Sequence, residues 1–424
     1  MSKIRVFLLP LVLFSLSVRA DPGPTLNLTT AINQALQGSP MLASAQANLS
    51  AAEGNERQAK AFSNPEIGFE AENLAGSGAY RGTDAAEYTY SISQKIELGG
   101  KRTFRRDQAS AERLAISKDA QTARLDIIRS VTILYGDVLA AQEKLKLAEA
   151  RENLSKEVLN NVSQRVDAAR DPLIYKSQAD IAFATAKLEY QNNQRQLQLA
   201  KRKLAAMWGE SSLPYPLEIS TLTSVTAPQS LDIYQSRLSL NPDLQRHEDL
   251  RTAKEAAFRL EKTQNIPDPS FSIGLRDFRE TGHQAVVAGV SLPIPVFNRN
   301  QGNIVRAAAE ITQAEQSNRQ AHLNAEQTLH EAWLDWQTAH AEATELQSRI
   351  IPSAAEALRL SRQGYERGRF SFLEVLNAQR TLADAETQRI NALQRQLTAK
   401  AIVEQLTAVS ISTSTSSISS TEVQ

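Results

Sequence analysis

Apolar residues recur three and four positions apart along two long stretches of the chain, which is the spacing of one helix face. In the first stretch they are Leu125, Ile128, Val131, Tyr135 and Val138. Residues 103–170 hold no proline, and residues 303–363 hold no glycine and one proline, Pro352. At ~1.5 Å per residue, each stretch predicts a helix of roughly 90–100 Å. The periodicity by itself is equally typical of a soluble helical bundle.

Shorter helices are predicted where a capping residue precedes a proline, because proline suits the first helical position. These starts are Ser39-Pro40, Asp171-Pro172 and Asn241-Pro242. The predicted helices cover residues 41–62, 173–207, 243–264 and, after a further turn, 372–408.

Two regions between the helices alternate apolar residues with small or polar ones, which is the period of a β-strand. The predicted strands lie at Glu66–Glu72, Tyr88–Ile96, Phe271–Arg276 and Val286–Ser291. Their length and alternation suit the wall of a membrane β-barrel. A soluble hairpin packed on the helices would alternate in the same way, so the pattern leaves both interpretations open.

The order of these elements occurs twice, with a period of roughly 200 residues, which implies an internal duplication. Asn64-Pro65 precedes the first strand pair and Asp268-Pro269 precedes the second. The predicted units are a signal peptide at residues 1–20, a first repeat at 21–220, a second repeat at 221–409 and a disordered Ser/Thr-rich tail at 410–424.

The N-terminus has the pattern of a secretory signal peptide. Lys3 and Arg5 precede an apolar stretch, and small residues lead to Ala20. We expect cleavage there, with an uncleaved anchor as the alternative. No cysteine follows, so the mature protein is not expected to be a lipoprotein. No other stretch reaches 18 apolar residues, so a role within a membrane would have to use strands.

Composition narrows the classes of function. The 424 residues include 47 basic and 47 acidic residues and no cysteine, which argues against nucleic-acid binding and excludes thiolate chemistry. The five histidines are His247, His283, His322, His330 and His340. The last three lie more than two helical turns apart along one predicted helix, too far to chelate one ion within the chain. We find no catalytic motif, and expect neither an enzyme nor a bound cofactor or metal.

Several motifs occur in one order along the chain. They are "LTTAINQAL" at Leu28–Leu36, Asn64-Pro65 before the first strand, the duplicated layout, and "GYERGRFSFLEVLNAQRTL" at Gly364–Leu382. Together they resemble the TolC family of outer membrane efflux factors over nearly all of the mature chain. The last motif is similar to the family's signature at the second periplasmic helix turn.

A second stretch, "SQKIELGGKRTFRRDQA" at Ser93–Ala109, resembles the heavy-metal (CzcC-like) branch of this family. Its characteristic residues are Glu97, Gly99, Gly100, Lys101 and Arg102. The glycines can turn the chain from strand to helix where a side chain would restrict it. We expect Lys101 and Arg102 near the inner membrane boundary or the neck of the barrel. Some relatives in this branch are lipid-anchored, whereas this chain has no cysteine.

The resemblance implies a mainly α-helical chain in which duplicated long hairpins accompany four strands. Four strands cannot close a barrel, and a bilayer tolerates no open sheet edge, so chains would have to share one barrel. An eight-stranded barrel is filled by side chains, so a channel favours three or more chains. The resemblance to the family implies a trimer, which would form a 12-stranded outer membrane barrel continued by a periplasmic helical tunnel.

The implied function is the outer channel of a tripartite pump that exports divalent metal ions such as cobalt, zinc, cadmium or nickel. Its implied partners are a periplasmic adaptor and an inner membrane proton-driven RND transporter. A multidrug efflux channel is the alternative within the fold. A periplasmic adaptor and a soluble coiled-coil scaffold are alternatives of other classes, although an adaptor has one helical hairpin and this chain has two.

Two predicted turns, at the far ends of the helical hairpins, are the candidate contacts for the adaptor, although either could be an ordinary connecting loop. The residues concerned are Ala168, Arg170, Asp171, Gly368, Arg369, Phe370 and Ser371. We expect Gly368 to take a positive φ and Ser371 to cap the following helix. By resemblance, Glu374 and Asn377 face the lumen at a periplasmic gate, and a ring of three Glu374 carboxylates would attract cations.

Overall fold

The computed structural model describes residues 26–408, apart from residues 214–216, 218–219 and 224–225. The predicted signal peptide at 1–20 and the predicted tail at 410–424 lie outside the described residues. The helices are α1 Leu28–Gly38, α2 Pro40–Ala59, α3 Lys101–Asp167, α4 Leu173–Ala205, α5 Ser220–Thr223, α6 Leu231–Gln235, α7 Pro242–Thr263, α8 Gln301–Glu345, α9 Ile351–Glu366 and α10 Phe372–Thr407. The strands are β1 Glu66–Glu72, β2 Glu87–Lys95, β3 Ser270–Phe278 and β4 His283–Ser291.

Both long helices are confirmed, and the second contains an irregular turn. Helix α3 is continuous over 67 residues. Helices α8 and α9 are joined by a π-helical turn at Leu346–Ile350. Pro352 accounts for it, because in a regular helix its ring would clash with the carbonyl of Ser348. In the wider turn the N–H of Ile351 bonds to the carbonyl of Leu346, five residues back.

The predicted helix starts differ in outcome. The Asn241 side chain caps α7 by accepting a hydrogen bond of 2.8 Å from the N–H of Asp243. The prediction that Asp171 caps α4 is wrong, because Pro172 precedes the first helical residue. The carboxylate of Asp171 instead bonds to Arg165, whose guanidinium offers charged donors that the helix N-terminus does not.

The four strands form one antiparallel sheet in the order β1-β2-β3-β4. The central ladder pairs β2 with β3, from Glu87 opposite Phe278 to Lys95 opposite Ser270. Each outer ladder is a hairpin, of β1 with β2 and of β3 with β4. The central ladder therefore joins the first half of the chain to the second, and β1 and β4 are the edges of the sheet.

The two faces of the sheet differ as the alternation predicts. The apolar face carries exposed side chains, among them Ile67, Phe69, Tyr90, Ile92, Phe271, Ile273, Leu275, Val286 and Val290. The opposite face carries small and polar residues, and at Gly274 an added Cβ would lie 2.5 Å from the carbonyl oxygen of Tyr90. Exposed apolar patches of this extent are rare on soluble monomers and mark a surface that contacts lipid or protein.

Helix α3 is the central element of the helical part, and it packs against α1, α2, α4, α7 and α10. Its apolar stripe is buried near the middle, where Val131, Tyr135 and Val138 are inaccessible to solvent. Small residues allow the close approach of neighbouring helices, since Gly136 faces Leu397 of α10. None of the described helices is both long and apolar enough to cross a lipid bilayer.

Replacing Gly136 by leucine should lower the melting temperature, because its Cβ alone would lie 2.6 Å from Cδ2 of Leu397. Overpacking of this kind costs about 1–3 kcal/mol. The control is Gly54→Leu in α2, where a Cβ meets nothing within 4 Å and leucine improves helix propensity by roughly 0.8 kcal/mol. Thermal unfolding followed by circular dichroism measures both variants. Equal melting temperatures would contradict the close packing of α3 on α10.

Candidate functional site

The turn between α3 and α4 spans Ala168–Asp171, as predicted. Ala169 takes a left-handed conformation with φ 51°, and the N–H of Arg170 bonds to the carbonyl of Arg165 at 2.8 Å. This is the Schellman ending of a helix, which is usually built on glycine. The sequence gives no signal for it, because an alanine does not mark a left-handed position.

The turn between α9 and α10 has the same geometry. Gly368 has the predicted positive φ, 72°, and the N–H of Arg369 bonds to the carbonyl of Gly364 at 2.8 Å. Arg369 and Phe370 are exposed. Gly364 allows Phe370 to fold back, since a Cβ there would lie 2.1 Å from the Phe370 ring. Ser371 caps α10 as predicted.

The two turns are tied together by three side chains, Arg165, Asp171 and Tyr365, which we call the tip bracket. Arg165 donates to both carboxylate oxygens of Asp171, from Nε at 2.7 Å and from Nη2 at 3.2 Å. The Tyr365 hydroxyl donates to Oδ2 of Asp171 at 2.5 Å. The Arg165 guanidinium also lies over the Tyr365 ring, 4.8 Å from its centroid. The bracket fixes α9 relative to the end of α3.

The electrostatics of the tip bracket favour the charged form of Asp171. The hydrogen bonds from Arg165, and then that from Tyr365, hold the pKa of Asp171 below its ordinary value. Burial, and then the bond to Asp171, raises the pKa of Tyr365. The carboxylate therefore stays ionised and the phenol stays protonated at neutral pH, which is the state in which these hydrogen bonds form.

Aromatic packing supports the tip bracket from inside. Phe372 is fully buried, and its ring centroid lies 5.7 Å from that of Tyr175 and 5.6 Å from that of Tyr365. Val158, Val162 and Leu358 complete this small core. Between α3 and α9 the surface opens into a groove of about 750 Å³ whose walls include charged residues of both helices. The tips are thus held by side-chain contacts and exposed to solvent, which suits a docking surface.

The predicted gate residues occupy one exposed face of α10 just beyond the second turn. Glu374 and Asn377 are both exposed. Glu374 also has a local role, because it accepts a hydrogen bond of 3.0 Å from the backbone N–H of Ser371. With the Ser371 side chain bonded to the N–H of Glu374, the two form a capping box. A change of Glu374 therefore affects both a charge and the start of α10.

The residues of the branch motif lie at the other end of α3, at ~1.5 Å per residue about 100 Å from the turns. Gly99 and Gly100 take φ values of 70° and 77° and turn the chain from β2 into α3, as predicted. Glu97 holds Arg105 in a two-point ion pair with distances of 2.8 and 3.0 Å. The Arg102 guanidinium lies over one face of the Phe62 ring, 3.7 Å from its centroid. The motif thus builds the junction between sheet and helices.

Lys101 is buried at this junction, with 4% of its surface exposed. Its Nζ donates to Oδ1 of Asp268 at 2.7 Å and to the carbonyl of Ile266 at 2.6 Å. The same Oδ1 accepts the N–H of Leu98 at 2.9 Å. The sequence carries no signal for this partner, because Asp268 lies 167 positions from Lys101. Oδ2 of Asp268 also lies 3.5 Å from Nζ of Lys95. Removing Asp268 would therefore leave the buried Lys101 ammonium without a carboxylate partner.

The polar face of the sheet carries several carboxylates around one arginine. Arg276 bonds to Glu72 at 2.9 Å, to Glu87 at 3.0 Å and to the hydroxyl of Thr89 at 2.9 Å. Glu66 and Glu70 lie on the same face by their register in β1. Within the described part of the chain, no group of three or more His, Asp or Glu residues is placed to hold a metal ion. Carboxylates outnumber the cationic side chains Arg276 and Lys95 on this face.

Comparison with known proteins gives a family and several relatives. The family model described as outer membrane efflux protein matches residues 31–210 and 233–409. The cobalt-zinc-cadmium resistance protein CzcC of Cupriavidus metallidurans is 28% identical over 88% of each chain. The nickel and cobalt resistance protein CnrC of the same organism is 29% identical over 73% of this chain and 72% of its own. The crystal structure of the outer membrane protein VceC from Vibrio cholerae superposes with a TM-score of 0.76 at 21% identity, covering 90% of this chain and 95% of the other.

Replacing Asp171 by asparagine should loosen the turn between α3 and α4. Hydrogen bonds to a charged group contribute about 1.5–3 kcal/mol, so exchange of the Arg170 amide should accelerate roughly ten- to hundred-fold. Because the folded-state pKa of Asp171 is lowered, the bracket persists above its unfolded pKa, about 3.9, and is lost as the pH falls through the folded-state value. Hydrogen exchange measured by mass spectrometry as a function of pH tests this.

The control for Asp171→Asn is Asp167→Asn, four positions away. Asp167 is exposed, and its Oδ1 lies 3.7 Å from Nζ of Lys176. A long, exposed ion pair of this kind contributes about 0–1 kcal/mol. The Asp167→Asn variant should leave the exchange rates of the turn unchanged. Equal effects of the two variants would mean that the tip bracket does not hold the turn.

Proposed function

The chain belongs to the outer membrane efflux protein family, and on this premise we propose that it is the outer membrane channel of a tripartite system that exports divalent heavy-metal ions. The proposed cargo is of the cobalt, zinc, cadmium or nickel class. The observation that carries this choice is the similarity to the metal-resistance protein CzcC, which extends over 88% of both chains. The motif at Glu97–Arg102 supports the same branch.

We propose that three copies assemble into one channel in the outer membrane. The support is the sheet, which has two unpaired edges, an apolar face open to its surroundings and a polar face behind it. Three chains with four strands each supply the twelve strands of a barrel with an open lumen. The helices continue this barrel as a periplasmic tunnel. The protein reaches the membrane through a cleaved signal peptide and is neither a lipoprotein nor an enzyme.

The proposed partners are a periplasmic adaptor and an inner membrane proton-driven RND transporter, and the two helix turns are the proposed contact with the adaptor. The support is their position at the far end of the hairpins from the sheet, with Arg170, Arg369 and Phe370 exposed. The tip bracket holds them in a defined geometry before a partner binds, which lowers the entropy cost of association. The transporter supplies energy and this chain supplies a passive conduit.

The proposed path for cations has two acidic regions. One is the polar face of the sheet, where Glu66, Glu70, Glu72 and Glu87 outnumber the cations Arg276 and Lys95. The other is the face of α10 with Glu374 and Asn377, which in a trimer would form one ring of carboxylates and one of amides. Acidic rings raise the local concentration of cations in narrow pores.

Deleting the encoding sequence in the native host should increase sensitivity to one or more of cobalt, zinc, cadmium and nickel, and re-expression should restore growth. Arg369→Glu should fail to restore growth, although it should reach the outer membrane as a trimer, because it reverses the charge of the proposed adaptor contact. Growth inhibition by each ion, together with the native mass in detergent, measures both effects.

The same growth assay with hydrophobic drugs distinguishes a multidrug efflux channel from a channel for metal ions. Unchanged metal tolerance with increased drug sensitivity would replace the proposed cargo and leave the channel in place. A stable, folded monomer in membranes would overturn the channel itself.

Replacing Glu374 by glutamine should lower the cation selectivity of the reconstituted pore, and Glu374→Lys should lower it further. Glutamine serves in a capping box as glutamate does, so the charge changes while the start of α10 is kept. The control is Ser371→Ala, which weakens the cap by about 0.5–2 kcal/mol and should leave selectivity unchanged. Reversal potentials under a salt gradient measure the effect. If neither charge variant changes them, Glu374 does not face the conduction path.

A further inference from the structure

The two repeats place equivalent junctions at the start of their long helices. Helix α3 begins at Lys101 after the left-handed Gly100, and α8 begins at Gln301 after the left-handed Asn300, with φ values of 77° and 61°. Each strand pair opens after a matching dipeptide, Asn64-Pro65 before β1 and Asp268-Pro269 before β3. Gln301 is therefore the counterpart of Lys101, and Asn64 the counterpart of Asp268.

Within one chain, the first junction is held by the segment that precedes β3. Besides the bonds of Asp268 with Lys101 and Leu98, the N–H of Ile96 bonds to the carbonyl of Pro269 at 2.9 Å. Gly99 also approaches this segment closely, since a Cβ there would lie 2.5 Å from Cδ1 of Ile266. This contact exists because β2 and β3 are antiparallel neighbours, which brings the end of one beside the start of the other.

The counterparts of these residues are uncovered in the single chain. Asp268 is buried, with 8% of its surface accessible, whereas its counterpart Asn64 is exposed. Lys101 is likewise buried, with 4% accessible, whereas its counterpart Gln301 is exposed. They lie at opposite edges of the sheet, β1 and β4, three strand spacings or about 14 Å apart. They cannot meet within one chain as Lys101 and Asp268 do.

The segment between β4 and α8 is also uncovered. Its apolar side chains are Leu292, Ile294, Val296 and Phe297, exposed by 51%, 78%, 57% and 93%. Phe62, which precedes Asn64, is 75% exposed. Two apolar surfaces thus flank the two polar counterparts, one at each edge of the sheet. Removing apolar surface of this kind from water lowers the free energy of the system, so its burial would stabilise a contact between copies.

We propose that the segment Phe62–Pro65 of a second copy of this chain contacts the junction Leu292–Gln301, as Ile266–Pro269 contacts Ile96–Lys101 within the chain. Antiparallel pairing of β4 with β1 of the second copy brings the two segments together. Asn64 of that copy meets Gln301 through an amide pair in place of the ion pair, and its Phe62 packs on the apolar segment. The inference rests on the proposed trimer and names the residues that join its subunits.

The chemistry of the pair fits its position. Lys101 and Asp268 meet during the folding of one chain, where a buried ion pair is completed as the core forms. Asn64 and Gln301 stay in water until a second copy binds, and amides lose less hydration than charges on burial. In the single chain the Gln301 side-chain oxygen accepts the N–H of Arg299 at 2.9 Å, which leaves its amide group as the donor for a partner.

Cross-linking between two differently tagged chains tests the contact, since the chain has no native cysteine. One chain carries Asn64→Cys and the other Gln301→Cys, and the purified complex is treated with a short bismaleimide. We expect a product that carries both tags. The control replaces Gln301→Cys by Gln284→Cys, an exposed position near the other end of β4 and about 24 Å along the strand from Ser291. It should give no such product.

A charge test gives an independent readout. The double variant Asn64→Asp with Gln301→Lys recreates the ion pair of the first junction and should keep the trimer intact. Asn64→Asp with Gln301→Glu places like charges together and should lower the temperature of trimer dissociation by several degrees. Native mass and electrophoretic mobility after heating measure both variants.

The outcomes separate this inference from the proposed function. A trimer by mass that gives no product with both tags, or as much product with the control pair, overturns the contact and leaves the channel in place. Equal dissociation temperatures for the two charge variants overturn it as well. A monomer by mass in the membrane-extracted protein overturns the trimer and the contact together.

Discussion

The ladder between β2 and β3 is the interaction on which the rest of the structure depends. It pairs nine residues of each strand, and it is the place where the sheet joins the first half of the chain to the second. Because the strands are antiparallel, it sets Asp268 beside Lys101 and orients α3 and α7 together. It also leaves β1 and β4 as edges, so the single chain ends with two rows of unused backbone groups.

The single chain also exposes much apolar surface. The apolar face of the sheet, the segment after β4 and the ring of Phe62 are accessible in one chain, whereas Val131, Tyr135 and Val138 in the middle of α3 are inaccessible to solvent. Membership of the outer membrane efflux protein family accounts for this contrast if, as proposed, lipid and neighbouring copies take the place of water. The single chain builds one junction by itself, between Lys101 and Asp268, and the proposed contact between copies would build a second.

The two ends of α3 use charge in different ways. At the junction, Lys101 and Asp268 are buried and hold the backbone where strand becomes helix. At the turns, the tip bracket is only partly covered and ties two hairpins that the chain connects through almost 200 residues. The first arrangement fixes the architecture. The second holds exposed turns in one geometry, which lowers the entropy cost of the proposed binding to a protein partner.

The sequence by itself determined the elements, because helix periodicity, strand alternation and glycine conformations are local: it predicted α3, the faces of the sheet and the positive φ of Gly368. It also determined the family, through motifs read in order. It misassigned Asp171 as a cap and gave no signal for Ala169 or for the roles of Arg165, Tyr365 and Asp268. Only the tertiary structure decided these, because each depends on a partner brought close by packing, and a carboxylate takes the strongest donor within reach rather than the nearest in sequence.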